Sequence, residues 1–313
     1  MRVFLAGATG AVGRPLVRRL VEAGHDVVGT TRSEAKVDAL RAAGAEPVVV
    51  DAFDLDAMRD AVSDARPEVV VHQLTALSKP FNPRRYGEWI AETNRLRREV
   101  TPTLVDAARS AGARRIVAQN VAFMTAPRGP WVVGEEAPLF TDAPRSFREA
   151  VQACTALERA VVGADEIEGL VLRYGFFYGS GTSYAPDGDL TAEVRRRRFP
   201  IVGSGEGRFS FLHVEDAAAA TVDALDRGQP GVYNVCDDEP APMREWLPEM
   251  ARMLGARRPF RVPAFVARLA AGHAAVHYGT SLRGASNAKA RRELGWVPAH
   301  PSWRTGFEET LVA

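Results

Sequence analysis

The sequence predicts an α/β protein built on a doubly wound parallel sheet, with a smaller C-terminal lobe. Three observations predict it. Short β-branched runs alternate with longer helical stretches as far as Tyr174. A glycine-rich turn directly follows the first of those runs. After about residue 175 the alternation gives way to irregular spacing. Near-continuous apolar strands separated by helices belong to a parallel sheet covered on both faces. Right-handed crossovers then wind such a sheet in both directions.

The expected strands are Arg2–Ala6, Val27–Thr31, Pro47–Val50, Val69–Gln73, Arg115–Gln119 and Leu170–Tyr174. Between them lie expected helices at Val12–Ala23, Ser33–Ala43, Leu55–Ala65, Tyr86–Ala111 and Ser146–Val162. In the first helix, Val12, Leu16, Leu20 and Ala23 repeat at helical spacing. Gly179–Gly188 reads as a long loop and Gly203–Gly207 as a tight turn. Val214–Asp226, Pro242–Leu254, Ala264–Val276 and Ala288–Leu294 read as later helices. The chain is expected to re-enter the large domain around Phe211–Leu225. The division is therefore 1–174 plus roughly 208–227 for the first domain, and the remainder of 175–313 for a substrate lobe.

A chain of 313 residues with 46% hydrophobic and 25% charged residues is long and apolar enough to bury a core unaided. Its net charge of +1 argues against a dedicated nucleic-acid or membrane-surface binder. All basic residues except Lys36, Lys79 and Lys289 are arginine. The two cysteines, Cys154 and Cys236, make no disulfide framework, and no Cys/His cluster has metal spacing. No apolar run approaches the roughly 18 residues of a membrane span. The apolar start is too short for a signal peptide and reads as a strand. The cytoplasm is the expected location.

Gly7-Ala8-Thr9-Gly10-Ala11-Val12-Gly13 sits between the first strand and the first helix. Glycine permits the tight turn and lets backbone amides approach a pyrophosphate. The helix N-terminus adds partial positive charge and free N–H groups. In this strand–turn–helix context the spacing reads as a Rossmann-type dinucleotide site. The next determinant lies at the end of the second strand. An acid there holds the ribose 2′-hydroxyl of NAD, and an arginine suits the 2′-phosphate of NADP. Here the residues are Thr31-Arg32-Ser33, with no acid. Arg32 can grip a phosphate in bidentate fashion, helped by Thr31 and Ser33. The alternative is a solvated Arg32 ahead of a helix. NADP is favoured, with NAD still open. Asp51 and Ala52 follow the third strand, where Asp51 can accept from the adenine amino group; Asp54 is the better candidate N-cap. Gln73, Leu74 and Thr75 follow the fourth strand, at the carboxyl ends where open α/β sheets bind ligands.

With these pieces the chain resembles the extended short-chain dehydrogenase/reductase family, also called the NAD-dependent epimerase/dehydratase family. Further matching pieces are Val71–Thr75, Asn94, Leu172-Arg173-Tyr174-Gly175 with Tyr178-Gly179, Phe211–Asp216 and Glu293–Pro298. The resemblance implies a nicotinamide cofactor across the strand ends, with Asn94, Gln119 and Tyr174 among its surroundings. It also implies a small-molecule substrate between the lobes, and suggests a homodimer through Tyr86–Ala111 and Ser146–Val162. Family members carry Tyr-x-x-x-Lys on the helix before the sixth strand. The matching slots here hold Phe147 and Val151. The family's serine slot falls in Ala118-Gln119-Asn120-Val121, with Asn120 the nearest polar replacement. Phe147 cannot move a proton and Val151 carries no charge, so the member is atypical.

Candidate catalytic groups are Asn120, Tyr178 and Tyr184, each with a bland alternative: a strand-end Asn bonded to backbone, and two packed tyrosines. His213 reads as structural. Phe176, Phe177 and Phe209 stand where sugar-nucleotide enzymes of the family place polar groups, with Arg208 one residue off. Together with Phe123 and Trp131 they favour an apolar or aromatic small molecule. Arg195–Arg198 reads as a solvated face. Three functions follow: an NAD(P)-binding oxidoreductase passing hydride to or from a small apolar substrate, an epimerase, isomerase or lyase that recycles its cofactor, or a non-catalytic NADP-sensing regulator.

Overall fold

The computed structural model describes residues 1–77 and 81–312, so Lys79 lies outside the described residues. The chain opens with β1 (Arg2–Ala6), α1 (Gly13–Glu22), β2 (Asp26–Thr31), α2 (Val37–Ala42), β3 (Glu46–Val49), α3 (Leu55–Ala65) and β4 (Val69–His72). It continues through α4 (Tyr86–Arg95), α5 (Thr101–Ser110), β5 (Arg115–Val121) and α6 (Arg145–Val162). Residues Leu96–Val100 join α4 to α5 as a π-helical turn, so the expected long helix is one rod with a bulge.

The strands pair in the order Gly231–Val235, Glu168–Tyr174, β5, β4, β1, β2, β3, and every pair is parallel. Side-chain alternation divides each strand between the two faces. Val3, Leu5, Val69, Val71, Val117, Leu170 and Leu172 pack beneath α1. Phe4, Ala6, Val70, Ile116, Ala118 and Val171 pack beneath α3, α5 and α6. That two-sided burial is why the strands read as continuous apolar runs.

Three expectations need correction: one strand and the ends of two helices. The seventh strand, Gly231–Val235, was not anticipated; it lies parallel to Glu168–Tyr174 in a region that reads as irregular, and it brings part of 175–313 into the sheet. Helix α7 (Asp189–Arg195) closes at the first residue of the arginine run, and Arg197 is left-handed (φ 59). Helix α8 (Val214–Asp223) stops short of Asp226. The lobe continues with α9 (Met243–Met253) and α10 (Ala264–Thr280). The latter outruns its expected end and breaks at Gly272 (φ 79, ψ −174). The lobe has its own core around Trp246, Phe211, Trp303 and Phe307. No helix among the described residues is long and apolar enough to cross a membrane.

The C-terminal tail is tied to α8 through one carboxylate. Buried Asp216 accepts hydrogen bonds from Ala299 N, His300 N and His300 Nδ1 at 2.8–2.9 Å. Trp296 Nε1 donates to the Asp216 carbonyl at 3.1 Å. His213 Nδ1 accepts from Glu215 N and so caps α8, and its ring stacks 4.0 Å from His300. Burial first, then His300, lowers His213 to about 4.

Candidate cofactor and substrate site

Gly7 leaves β1 at φ +95, and a Cβ there would stand 2.8 Å from Gln73 O. Its N–H donates to Thr30 Oγ1 at 3.1 Å, while Gly10 N–H donates to Gly7 O at 3.2 Å. Gly13 starts α1 so close to the turn that a Cβ would fall 2.2 Å from Gly7 O. Helix α1 has no side-chain cap and no acid in its first turn. Its terminal N–H groups and partial positive charge thus meet no acid of the helix's own first turn. This turn, with Thr9, Ala11 and Val12, fits the pyrophosphate of a nicotinamide dinucleotide. A cleft of about 450 Å³ opens nearby, lined by Gly179, Ser180, His213 and His300 among others.

At the end of β2, Arg32 keeps 69% of its side chain exposed and pairs with Glu92 at 3.7 Å among the described residues. Thr31 Oγ1 accepts from Ser33 N at 3.2 Å. Asp51 accepts from Phe53 N at 3.0 Å and Asp54 caps α3 through Ala57 N at 3.1 Å, as expected. Ala52 is half-buried beside them. The Phe53 ring carries the Arg95 guanidinium 4.3 Å from its centroid.

Beneath the strand ends, Gln73 Nε2 donates to Tyr174 Oη at 3.0 Å, and Tyr174 Oη also meets Thr221 Oγ1 at 2.7 Å. Burial pushes Tyr174 up to about 12. Gln119 Nε2 donates to Leu74 O at 3.4 Å, and Thr75 is exposed. The side-chain oxygens of Gln73 and Asn94 are buried without a partner. Gln73, Leu74, Thr75, Gln119 and Tyr174 therefore share one edge of the sheet, beside the glycine turn.

The catalytic candidates fare differently. Asn120 spends both amide hydrogens on α6, donating to Cys154 O at 3.2 Å and Glu158 Oε1 at 2.9 Å. Glu158 is also held by Arg173 at 2.6 and 2.8 Å, so the Asn is pinned in an ion-pair network. Tyr178 and Tyr184 must be corrected: both are lobe-core residues. Tyr178 is fully buried between His213 and Phe307, its hydroxyl unpartnered. Tyr184 packs on Phe211, Trp246 and Phe307. Burial raises both phenols above their ordinary value, far from a poised acid.

Helix α6 contains neither tyrosine nor lysine, and no Tyr-x-x-x-Lys occurs anywhere in the sequence. Phe147 and Val151 are buried in its apolar face. Around Phe147 stand Tyr86, Phe140, His277 and Tyr278, with centroids 5.1–6.0 Å away. Sequence reasoning missed His277 and Tyr278, because the helix was expected to stop at Val276 and the alanine-rich stretch carries no motif. Tyr86 and Tyr278 share a hydrogen bond, and burial raises both. His277 is lowered to about 4 by burial, and its Nε2 has no partner.

Of the aromatic residues expected around the substrate, Phe123 and Phe176 stack at 4.1 Å, with Tyr278 at 6.3 and 6.0 Å. All three are half-buried, so each keeps an open edge. Two others need correction. Phe177 turns to the opposite side, against Tyr174 at 5.3 Å, and Phe209 is buried against Phe176 and Trp246. Trp131 stays exposed.

Comparison with known proteins agrees with this arrangement. The model of the NAD dependent epimerase/dehydratase family matches residues 3–236. A 3-diazoavenalumate denitrifying reductase of a Streptomyces species is 50% identical over 98% of this chain and 99% of its own length. A 2-alkyl-3-oxoalkanoate reductase of Stenotrophomonas maltophilia is 26% identical over 82% of this chain and 77% of its own. Among solved structures, the UDP-glucose 4-epimerase of Thermotoga maritima with UDP-glucose superposes with a TM-score of 0.76 at 20% identity, covering 99% of this chain and 97% of that one. Human epimerase family protein SDR39U1 with NADPH gives 0.73 at 19% identity, with 99% of both chains covered.

Proposed function

The chain belongs to the NAD-dependent epimerase/dehydratase family and is an NAD(P)-dependent oxidoreductase, and from that premise we propose that it reduces an aromatic diazo compound with loss of dinitrogen, using NADPH. What supports the reading is α6, which contains neither tyrosine nor lysine. Reducing a carbonyl leaves an alkoxide that needs a proton, and general acid help is worth typically 10²–10⁴-fold. Reducing an arenediazonium does not. The overall change, ArN₂⁺ with NADPH to ArH, N₂ and NADP⁺, balances with no proton added. A slot lined by Phe147 and Val151 is then no defect. The name of the 50% identical Streptomyces reductase, diazo and denitrifying, supports the same chemistry.

When bound, NADPH supplies the hydride. The chain's residues bind and orient it. Gly7, Thr9, Gly10, Ala11, Val12 and Gly13 hold the pyrophosphate, Thr31 and Arg32 the 2′-phosphate, and Asp51 with Ala52 the adenine. Gln73, Leu74, Thr75, Asn94, Gln119 and Tyr174 form the floor beneath the nicotinamide half. Phe123, Phe176 and Tyr278 offer their open edges to an aromatic ring. Asn120 keeps α6 in place and touches no reacting atom in this scheme. Residues 1–174 with 208–227 and the strand Gly231–Val235 serve the coenzyme, and the rest of 175–313 serves the substrate. A homodimer through α4, α5 and α6 belongs to the same reading, and light scattering tests it.

The direct assay mixes protein, NADPH and diazotised 3-aminocinnamate. NADPH oxidation above the protein-free rate, with one N₂ released per NADPH, is expected. Turnover of aldehydes or ketones with none of the diazo compound would overturn the proposal.

A further inference from the structure

Two guanidinium groups that share the Trp131 ring have no acid to pair with among the described residues. Arg208 and Arg283 lie on neighbouring segments, joined by Arg208 N donating to Leu282 O at 3.0 Å. Trp131 sits against them, its carbonyl accepting from Gly284 N at 2.9 Å. The Arg283 guanidinium stands 4.2 Å from the centre of the Trp131 ring and that of Arg208 stands 6.0 Å away. The side-chain hydrogen bonds of both arginines go to carbonyls. Arg208 Nη1 donates to Pro240 O at 3.3 Å; Arg283 donates to Arg128 O at 3.5 Å and Ser281 O at 3.1 Å.

Arg208 Nε is buried with no partner. Among the described residues neither guanidinium makes an ion pair, although most arginines with a polar side-chain contact here have a carboxylate nearby. Burial alone lowers Arg283 from the ordinary arginine value, with no acid to offset it. Leaving a cation partly desolvated and unpaired costs stability. A ligand anion would relieve that cost.

The segments that carry the pair adjoin the slot: the Arg283 charge acts on His277, whose ring stands 5.8 Å from Tyr278. Phe209, next to Arg208, packs on Phe176 at 4.6 Å, and Gly207 N donates to Gly279 O beside Tyr278 at 3.2 Å. A guanidinium fork matches a carboxylate in bidentate geometry, and the indole face steadies the second cation.

We propose that Arg208 and Arg283, braced by Trp131, bind the carboxylate of an aromatic acid whose ring lies against Phe123 and Phe176. This deepens the reading above and rests on its placement of the substrate. The nucleotide-sugar alternative would bring a diphosphate to the same cations, and the test separates the two.

The test is calorimetric binding to NADP⁺-loaded protein, with cinnamate, cinnamamide and UDP-glucose as probes. Cinnamate is expected to bind at least about tenfold more tightly than cinnamamide, the value of one charge-assisted hydrogen bond. Arg208→Gln and Arg283→Gln should each bring cinnamate close to the cinnamamide level, with cinnamamide binding and NADPH titration unchanged. The NADPH titration shows that a variant has folded. Equal affinity for the two probes, no binding of either, binding of UDP-glucose instead, or variants that bind cinnamate normally would overturn the site. Because no turnover is read, cinnamate bound through the arginines without diazo reduction would sink the reaction and leave the site standing.

Discussion

Arg32 gives the sharpest test of coenzyme choice, and Arg32→Ala is the perturbation. The side chain is 69% exposed and its one ionic contact is Glu92 at 3.7 Å. Exposed pairs of this kind contribute roughly 0–1 kcal/mol. Removing Arg32 should therefore shift stability by no more than about 0.5 kcal/mol, as for other surface substitutions. Its value to a 2′-phosphate is larger. A guanidinium–phosphate contact is charge-assisted and bidentate, worth roughly 1.5–3 kcal/mol. NADPH affinity should accordingly fall by about 10- to 150-fold, while NADH affinity stays constant. Glu92→Gln should move NADPH binding slightly the other way, because it removes the competing carboxylate. Fluorescence titration of the reduced coenzymes reads all of these. If Arg32→Ala binds NADPH as tightly as the parent, or the parent binds NADH equally well, the arginine is only a solvated residue ahead of α2.

Other expectations follow from the same geometry. Gly7→Ala forces a side chain onto φ +95 with its Cβ 2.8 Å from Gln73 O, so about 1–3 kcal/mol of strain is expected. It should lower the melting temperature by several degrees and weaken both coenzymes together; unchanged melting would mean the turn can relax. Tyr178→Phe removes a buried hydroxyl that has no partner, so stability should hold or rise by about 1 kcal/mol and hydride transfer should persist. A tenfold fall in kcat would return Tyr178 to the chemistry. His72 and His277 are each lowered to about 4 when folded, both first by burial. The unfolded chain therefore binds protons more readily, and stability is full above about pH 6.5 and lost as pH falls toward 4. The slope is up to about 1.4 kcal/mol per pH unit for each histidine. Urea midpoints at pH 7.5 and 5.0 measure it, and equal midpoints would show that the rings charge without penalty.

The strands of the sheet were legible because both faces are buried. A run such as Val69-Val70-Val71 is apolar and buried at every position, and that leaves a signal no turn can mimic. The strand Gly231–Val235, no shorter than Arg2–Ala6, escaped because Asn234 interrupts its apolar run; its backbone N–H is met by Glu135 Oε1, a contact between residues far apart in sequence. The glycine turn was legible because strand, turn and helix follow one another along the chain. The substrate side was not. Tyr178 and Tyr184 sit on the loop where a substrate is expected, yet the lobe core claims them, since only tertiary packing decides which way a loop tyrosine faces. Conversely, Tyr278, Arg208 and Arg283 come from three segments that no local pattern connects. Phe209 and Phe177 show the same limit: strand alternation sends neighbouring aromatics to opposite sides, and the sequence does not say which side is open.

The most direct test is the single-turnover rate of NADPH oxidation by diazotised 3-aminocinnamate on the enzyme, measured in H₂O and in D₂O. Hydride delivery without a protein acid predicts equal rates in the two solvents. A rate about twofold or more slower in D₂O would reveal a proton in flight and contradict it.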